Sequence, residues 1–136
     1  MASPRFTRRR LSGVTDHAYQ IRELGDTGTY AFTDYVSTLQ PKQREKIKGY
    51  LLRLAELGSA GFGKKNQFEN CHGGVYELKP KPYRLLLGRV GSTWIIVDAF
   101  SKDGLKKKEQ SKRIDDARAT LAAFAAELKE RQNKKK

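Results

Sequence analysis

The residues best suited to chemistry lie in and just after one short stretch, residues 76–87, "YELKPKPYRLLL". Two apolar segments flank a loop in which prolines alternate with lysines, and Lys79, Lys81 and Arg84 stand where those segments meet it. Lys102 follows a later apolar run, Lys106, Lys107 and Lys108 come soon after, and Lys65 sits in an earlier Gly-rich loop. Such side chains suit anions: arginine grips two oxygens in a planar fork, and lysine is a compact point charge. The groups in reach for proton transfer are Glu77, Asp103, His72 or a lysine held neutral.

The balance of charge points the same way. Lys and Arg number 28 against 15 Asp and Glu, for a net charge of +13. A field of that size favours polyanions, because each neutralised phosphate releases condensed counterions. A merely soluble basic protein is the competing reading. Nucleic acid is expected ahead of a membrane surface, since no basic amphipathic helix with large aromatics is visible. No apolar run is long enough to cross a bilayer.

Cys71 is the only cysteine, so no intrachain disulfide can form. One thiol and two scattered histidines do not make a zinc site by themselves. A reducing cytoplasm is the expected compartment. The start, "MASPRFTRRRLSG", lacks the apolar region of a secretory signal; a transit peptide is the alternative reading.

These cations need elements to hold them. A chain of 136 residues suits one domain. Residues 1–14 read as a flexible basic arm, with Arg5, Arg8, Arg9 and Arg10 and little to bury. "HAYQIREL" offers a first strand, and "GDTGT" a turn. Phe32, Tyr35, Val36 and Leu39 then fall at helical spacing. Pro41 opens a second helix, whose stripe is Ile47, Tyr50, Leu51, Leu54 and Leu57, with Gly58 placed for a left-handed cap. "SAGFGKKNQ" is a Gly-rich loop without the spacing of a phosphate-binding P-loop.

Three strands follow, "GVYELK", "YRLLLGRV" and "TWIIVDAF", joined so briefly that they must form an antiparallel meander. Ile114, Ala117, Leu121, Phe124 and Leu128 mark a last helix, before a basic tail over residues 131–136. The expected fold class is α+β: a strand, a helical hairpin, a three-stranded antiparallel meander and a C-terminal helix.

In that order, "LLRLAELG", "GVYELK", "YRLLL", "IIVDAFSK" and the Lys-rich segment before the last helix resemble the RelE/HigB superfamily of bacterial toxins, in its phage-derived HigB-like branch. The resemblance spans about residues 17–128, and each motif in it is only a few residues long. It implies a type II toxin that cleaves messenger RNA on the ribosome without a metal or other cofactor, silenced by a bound antitoxin. The ParE branch shares the fold but poisons gyrase, so a non-catalytic toxin and a basic nucleic-acid-binding phage protein stay open as alternatives.

Metal-free cleavage needs a base for the ribose 2′-hydroxyl, cations for the charge growing on the phosphorane, and an acid for the leaving oxygen. By the resemblance, Lys79 matches the basic residue ending the family's second strand. Arg84 matches the arginine that contacts the scissile phosphate, and Lys102 the basic residue after the last strand. Lys65, Lys81, Lys106, Lys107 and Lys108 would contact RNA.

Each assignment has a plainer competitor. Lys79 and Lys81 could simply solubilise an edge or loop, Arg84 could pair with Glu77 across the hairpin, and Lys106–Lys108 could be a solvated face. The chain also departs from the better-known members: no tyrosine or histidine follows the last strand. His72 and Cys71 are neighbours in sequence, and side chains adjacent on a strand point to opposite faces, so they make no Cys–His pair.

Overall fold

A computed structural model describes residues 4–134. Its strands are β1 (Phe6–Arg10), β2 (Gln20–Asp26), β3 (Thr29–Tyr30), β4 (Phe68–His72), β5 (Val75–Leu78), β6 (Tyr83–Val90) and β7 (Thr93–Ser101). Its helices are α1 (Ala31–Val36), α2 (Pro41–Leu57) and α3 (Lys107–Lys134), with a 3-10 turn at Gly58–Gly61. The fold is mixed α+β, a seven-stranded sheet with a long C-terminal helix. Among the described residues no helix is long and apolar enough to cross a membrane.

The sheet runs β1-β2-β7-β6-β5-β4, with β3 paired to β2. β5, β6 and β7 form the expected antiparallel meander, and β2 lies parallel to β7. Alternation along β6 divides its residues between two cores. Leu85 and Leu87 join Ile21, Ile47, Leu51, Leu54 and Trp94 on the side of α1 and α2. Leu86 joins Val75, Phe100 and Ala117 on the side of α3. In β7 the pairing shifts between Leu86 and Leu87, leaving Val97 as the extra residue, so that Val97 and Phe100 both face α3.

α2 begins with a capping box between Gln40 and Gln43 and with Pro41 in its first turn. It ends at Gly58, but not in the left-handed cap expected from sequence. Its φ of 63° goes with a ψ of −157°, a region open essentially only to glycine. A Cβ there would stand 2.6 Å from the Tyr19 ring.

Two further expectations are corrected. Described residues of the supposed flexible arm form a strand: Phe6–Arg10 is β1, antiparallel to β2. Phe6, 1% exposed, packs edge-on against Phe124 at 5.8 Å and anchors the strand. The arginines do not forbid this, because aromatic rings take their guanidinium groups: Arg5 on Phe6, Arg8 on Phe124 and Arg9 on Tyr30. The supposed tail is helical as far as Lys134, and Arg131 donates to the Phe6 carbonyl at 3.0 Å. Residues 1–3 and 135–136 of those two segments lie outside the described residues. Residues 68–72 form β4 where the sequence suggested no strand.

Candidate functional site

Alternation along β5 and β6 decides which chemical groups meet. Glu77 pairs with Leu86, and Arg84 with Phe100, so both side chains lie on the sheet face that α3 partly covers. Lys79 follows β5, its N–H donating to the Gln67 carbonyl at 2.8 Å. Lys102 follows β7, its N–H donating to the Pro82 carbonyl at 2.8 Å. Glu69 on β4 is opposite Glu77.

The three cations assigned to catalysis converge on Glu77. Lys79 Nζ is 3.7 Å from Glu77 Oε1, Arg84 Nε is 3.9 Å from Glu77 Oε2, and Lys102 is near enough to favour its ionised form. Glu77 Oε2 is buried without a hydrogen-bond partner. Burial pushes the Glu77 carboxyl above the ordinary range, outweighing Lys79, Arg84 and Lys102, which pull it down. This is a desolvated carboxyl with one buried oxygen lacking a partner, set among three cations and the Glu69 carboxylate opposite, which also raises it. Once uncovered, such a group is fit to accept and return a proton.

The same geometry limits its cations. Lys79 Nζ lies 2.6 Å from Glu69 Oε1, a hydrogen bond that holds the Glu69 carboxyl below its ordinary range. Arg84 is buried, and its Nη1 donates to the Tyr83 carbonyl at 3.0 Å. Of the three, only Lys102 is exposed.

The residues assigned to RNA contact are spread more widely. Lys65 is exposed and close enough to Glu69 to help keep that carboxyl ionised. Lys81 is exposed in the turn between Pro80 and Pro82, where its carbonyl accepts from Lys46 of α2 at 2.5 Å. Among the described residues its side chain makes no ion pair with the Glu77 cluster. The Lys106 carbonyl accepts from Gln110 as α3 opens, and Lys107 and Lys108 form the first turn, all three exposed. Positive side chains there oppose the positive end of the helix dipole, which favours anions instead.

Among the other candidate bases, Asp103 is exposed, with its N–H donating to Ser101 Oγ at 3.2 Å. His72 lies at the β4–β5 hairpin with a φ of 68°, its carbonyl accepting from Arg118. Burial, with Glu77 and Glu69 nearby, pushes the Cys71 thiol up to about 11, which leaves it a poor nucleophile.

Two neighbours were not visible in the sequence. Glu69, the closest partner of Lys79, lies on an unexpected strand. Tyr35 comes from α1, packed against Tyr83 at 6.5 Å and beside Ser101 and Asp103 where the last strand ends. A tyrosine therefore reaches that end from a distant helix. Burial raises its hydroxyl above the ordinary value. Among the described residues no group of three or more His, Cys, Asp and Glu side chains is placed to hold a metal ion. No protein-family model matches the chain, and no curated protein sequence matches it.

Proposed function

We infer that the chain is a metal-independent endoribonuclease of the RelE/HigB toxin type, acting on messenger RNA at the ribosome and held silent by an antitoxin. The observation that carries this reading is the convergence of Lys79, Arg84 and Lys102 on the buried carboxyl of Glu77. Its further support is the resemblance in motif order and the net charge of +13.

In this reading RNA binding draws Lys79 aside and uncovers Glu77 Oε2, which is buried in the free chain. That oxygen then accepts the proton of the ribose 2′-hydroxyl as the new oxygen–phosphorus bond forms. Lys102, the exposed cation, meets the phosphate first. Lys79 turns from Glu69 toward the phosphorane as negative charge grows there. Arg84 acts from beneath, orienting Glu77 and adding positive potential. The 5′-oxygen of the next nucleotide leaves, taking a proton from Glu77 or water, and a cyclic phosphate remains. Lys106, Lys107 and Lys108 crowd positive charge at a helix end that a polyanion would relieve.

A second reading has its own observation: Lys79 and Arg84 are both engaged with carboxylates. That suits an inactive cluster in a toxin that inhibits gyrase or another target, or in a basic nucleic-acid-binding protein. Induced expression in a bacterium, with mapping of RNA 5′ ends, separates the readings. Codon-phased cuts that Lys102→Ala abolishes support cleavage. A DNA-damage response without cuts supports gyrase, and neither outcome leaves the binding protein.

A further inference from the structure

The free edge of β1 is shaped to take another strand. In the register of β1 and β2, Thr27 N–H donates to the Arg5 carbonyl directly opposite, at 2.7 Å. The hydrogen-bonded pairs therefore fall on Arg5, Thr7 and Arg9, and the backbone groups of Phe6, Arg8 and Arg10 point away from the sheet. α3 closes the first of these positions. Glu127 Oε1 accepts from the Phe6 N–H at 3.3 Å, and Arg131 donates to the Phe6 carbonyl at 3.0 Å. Arg8 and Arg10 have no such cover among the described residues.

Beyond Arg10 the strand runs into a cleft of about 470 Å³, lined by Leu11, Phe32, Ile47 and Leu51 together with Arg44 and Lys48. Lys48 spans the β1–β2 connection: its Nζ lies 2.7 Å from where a Cβ would stand on Gly13. The carboxylates here are already matched. Glu23 is held by Arg9 at 2.9 Å and by Thr33, and Glu45 lies 3.9 Å from Lys48. Asp16 is held by Arg22 at 2.8 Å, with Arg10 a looser 3.7 Å away, its exposed guanidinium still open to a second carboxylate. An open edge and an apolar cleft thus share one strand end, with Arg8, Arg10, Arg44 and Lys48 around them.

We propose that this edge and cleft bind an extended acidic segment of a protein partner, which adds a strand beside Arg8 and Arg10 and lodges one apolar side chain in the cleft. Main-chain hydrogen bonds supply affinity in such strand addition, and a side-chain pocket supplies register. The opposite edge is not equivalent. β4 carries Glu69, and its pairing is irregular between Asn70 and His72. Edge arginines also discourage self-association, because two copies would set like charges against each other. That repulsion is absent for an acidic strand. The site uses residues apart from the Glu77 cluster and holds whether or not that cluster cleaves RNA.

The test uses the full chain and an end-blocked octapeptide of alternating glutamate and leucine. Backbone amide exchange by NMR should slow at least about tenfold at Arg8 and Arg10 when peptide is added, with shifts at Leu11, Ile47 and Leu51. Arg8→Glu with Arg10→Glu should weaken binding by about tenfold or more. Both side chains are exposed, and retained Phe6 shifts would show that β1 is intact. A peptide of equal charge with prolines at its inner positions should not slow these amides. Equal binding by the proline peptide, protection at β4 instead, no peptide binding, or tighter binding of an octauridylate to the same arginines would each overturn the proposal.

Discussion

Glu77 and Arg84 lie diagonally across the β5–β6 pair, two residues out of register, with Arg84 Nε 3.9 Å from Glu77 Oε2, and no hydrogen bond closes the gap. Both side chains are 7% exposed. A tight bidentate pair would hold Glu77 as a settled anion; this loose one leaves an oxygen unfilled and a carboxyl easily protonated.

Glu77→Gln mimics the protonated form and should fold. Because the folded carboxyl binds its proton more tightly than the unfolded one, its favourable contribution is present below the unfolded value and fades as pH rises through the folded value. Thermal melts should therefore show the variant gaining on the parent as pH rises through and above the carboxyl range. An equal gap at all pH values would mean that Glu77 titrates normally. In RNA cleavage the same variant should lose about two orders of magnitude in kcat, and the parent's acid limb should lie above the ordinary carboxylate range.

Arg84→Ala strands the Glu77 carboxylate and should cost about 3 kcal/mol, most of which Glu77→Gln in the same chain restores. Arg84→Lys keeps the charge and the fold but loses the Nη1 bond to the Tyr83 carbonyl that sets the guanidinium beneath Glu77, so the misplaced carboxyl should still cut kcat by about two orders of magnitude. Growth arrest by a well-folded Arg84→Lys protein at the parent's dose would remove Arg84 from the chemistry.

Lys102 is exposed, so Lys102→Ala should change stability by no more than about 0.5 kcal/mol while lowering cleavage about a hundredfold. Replacing Lys106, Lys107 and Lys108 together with Ala should act on affinity instead. The slope of log affinity against log salt should flatten by about one unit for each phosphate no longer neutralised. An unchanged slope would mark this run as solvated surface.

Phe6→Ala should destabilise the fold by about 3 kcal/mol, because it empties the space against Phe124 that anchors β1. Urea unfolding measures this directly. A loss below about 0.5 kcal/mol would mean that β1 is only loosely held.

Much of the frame was legible because its signals are local. The stripe from Ile47 to Leu54, the breaks at "PKP" and "GS", and the apolar runs of β6 and β7 each belong to a single element and its period, although Leu57, expected to end that stripe, is exposed in the last turn of α2. The clustering of Lys79, Arg84 and Lys102 was also legible, since short connections fix which strands are neighbours.

β1 and β4 were hidden by composition: four arginines masked one buried phenylalanine, and "FENCH" has only a weak alternation. Both are edge strands stabilised by tertiary contacts: Phe6 reaches Phe124 far along the chain, and Glu69 meets Lys79 only once β4 has paired with β5. The sequence by itself determined the charge, the central strands and the helices that cover them. Only the tertiary structure decided that Glu77 is the buried centre of the cations, that Glu69 occupies Lys79, and that Tyr35 arrives beside Ser101. Burial and pairing across the sheet are set by residues distant in sequence, and no local period records them.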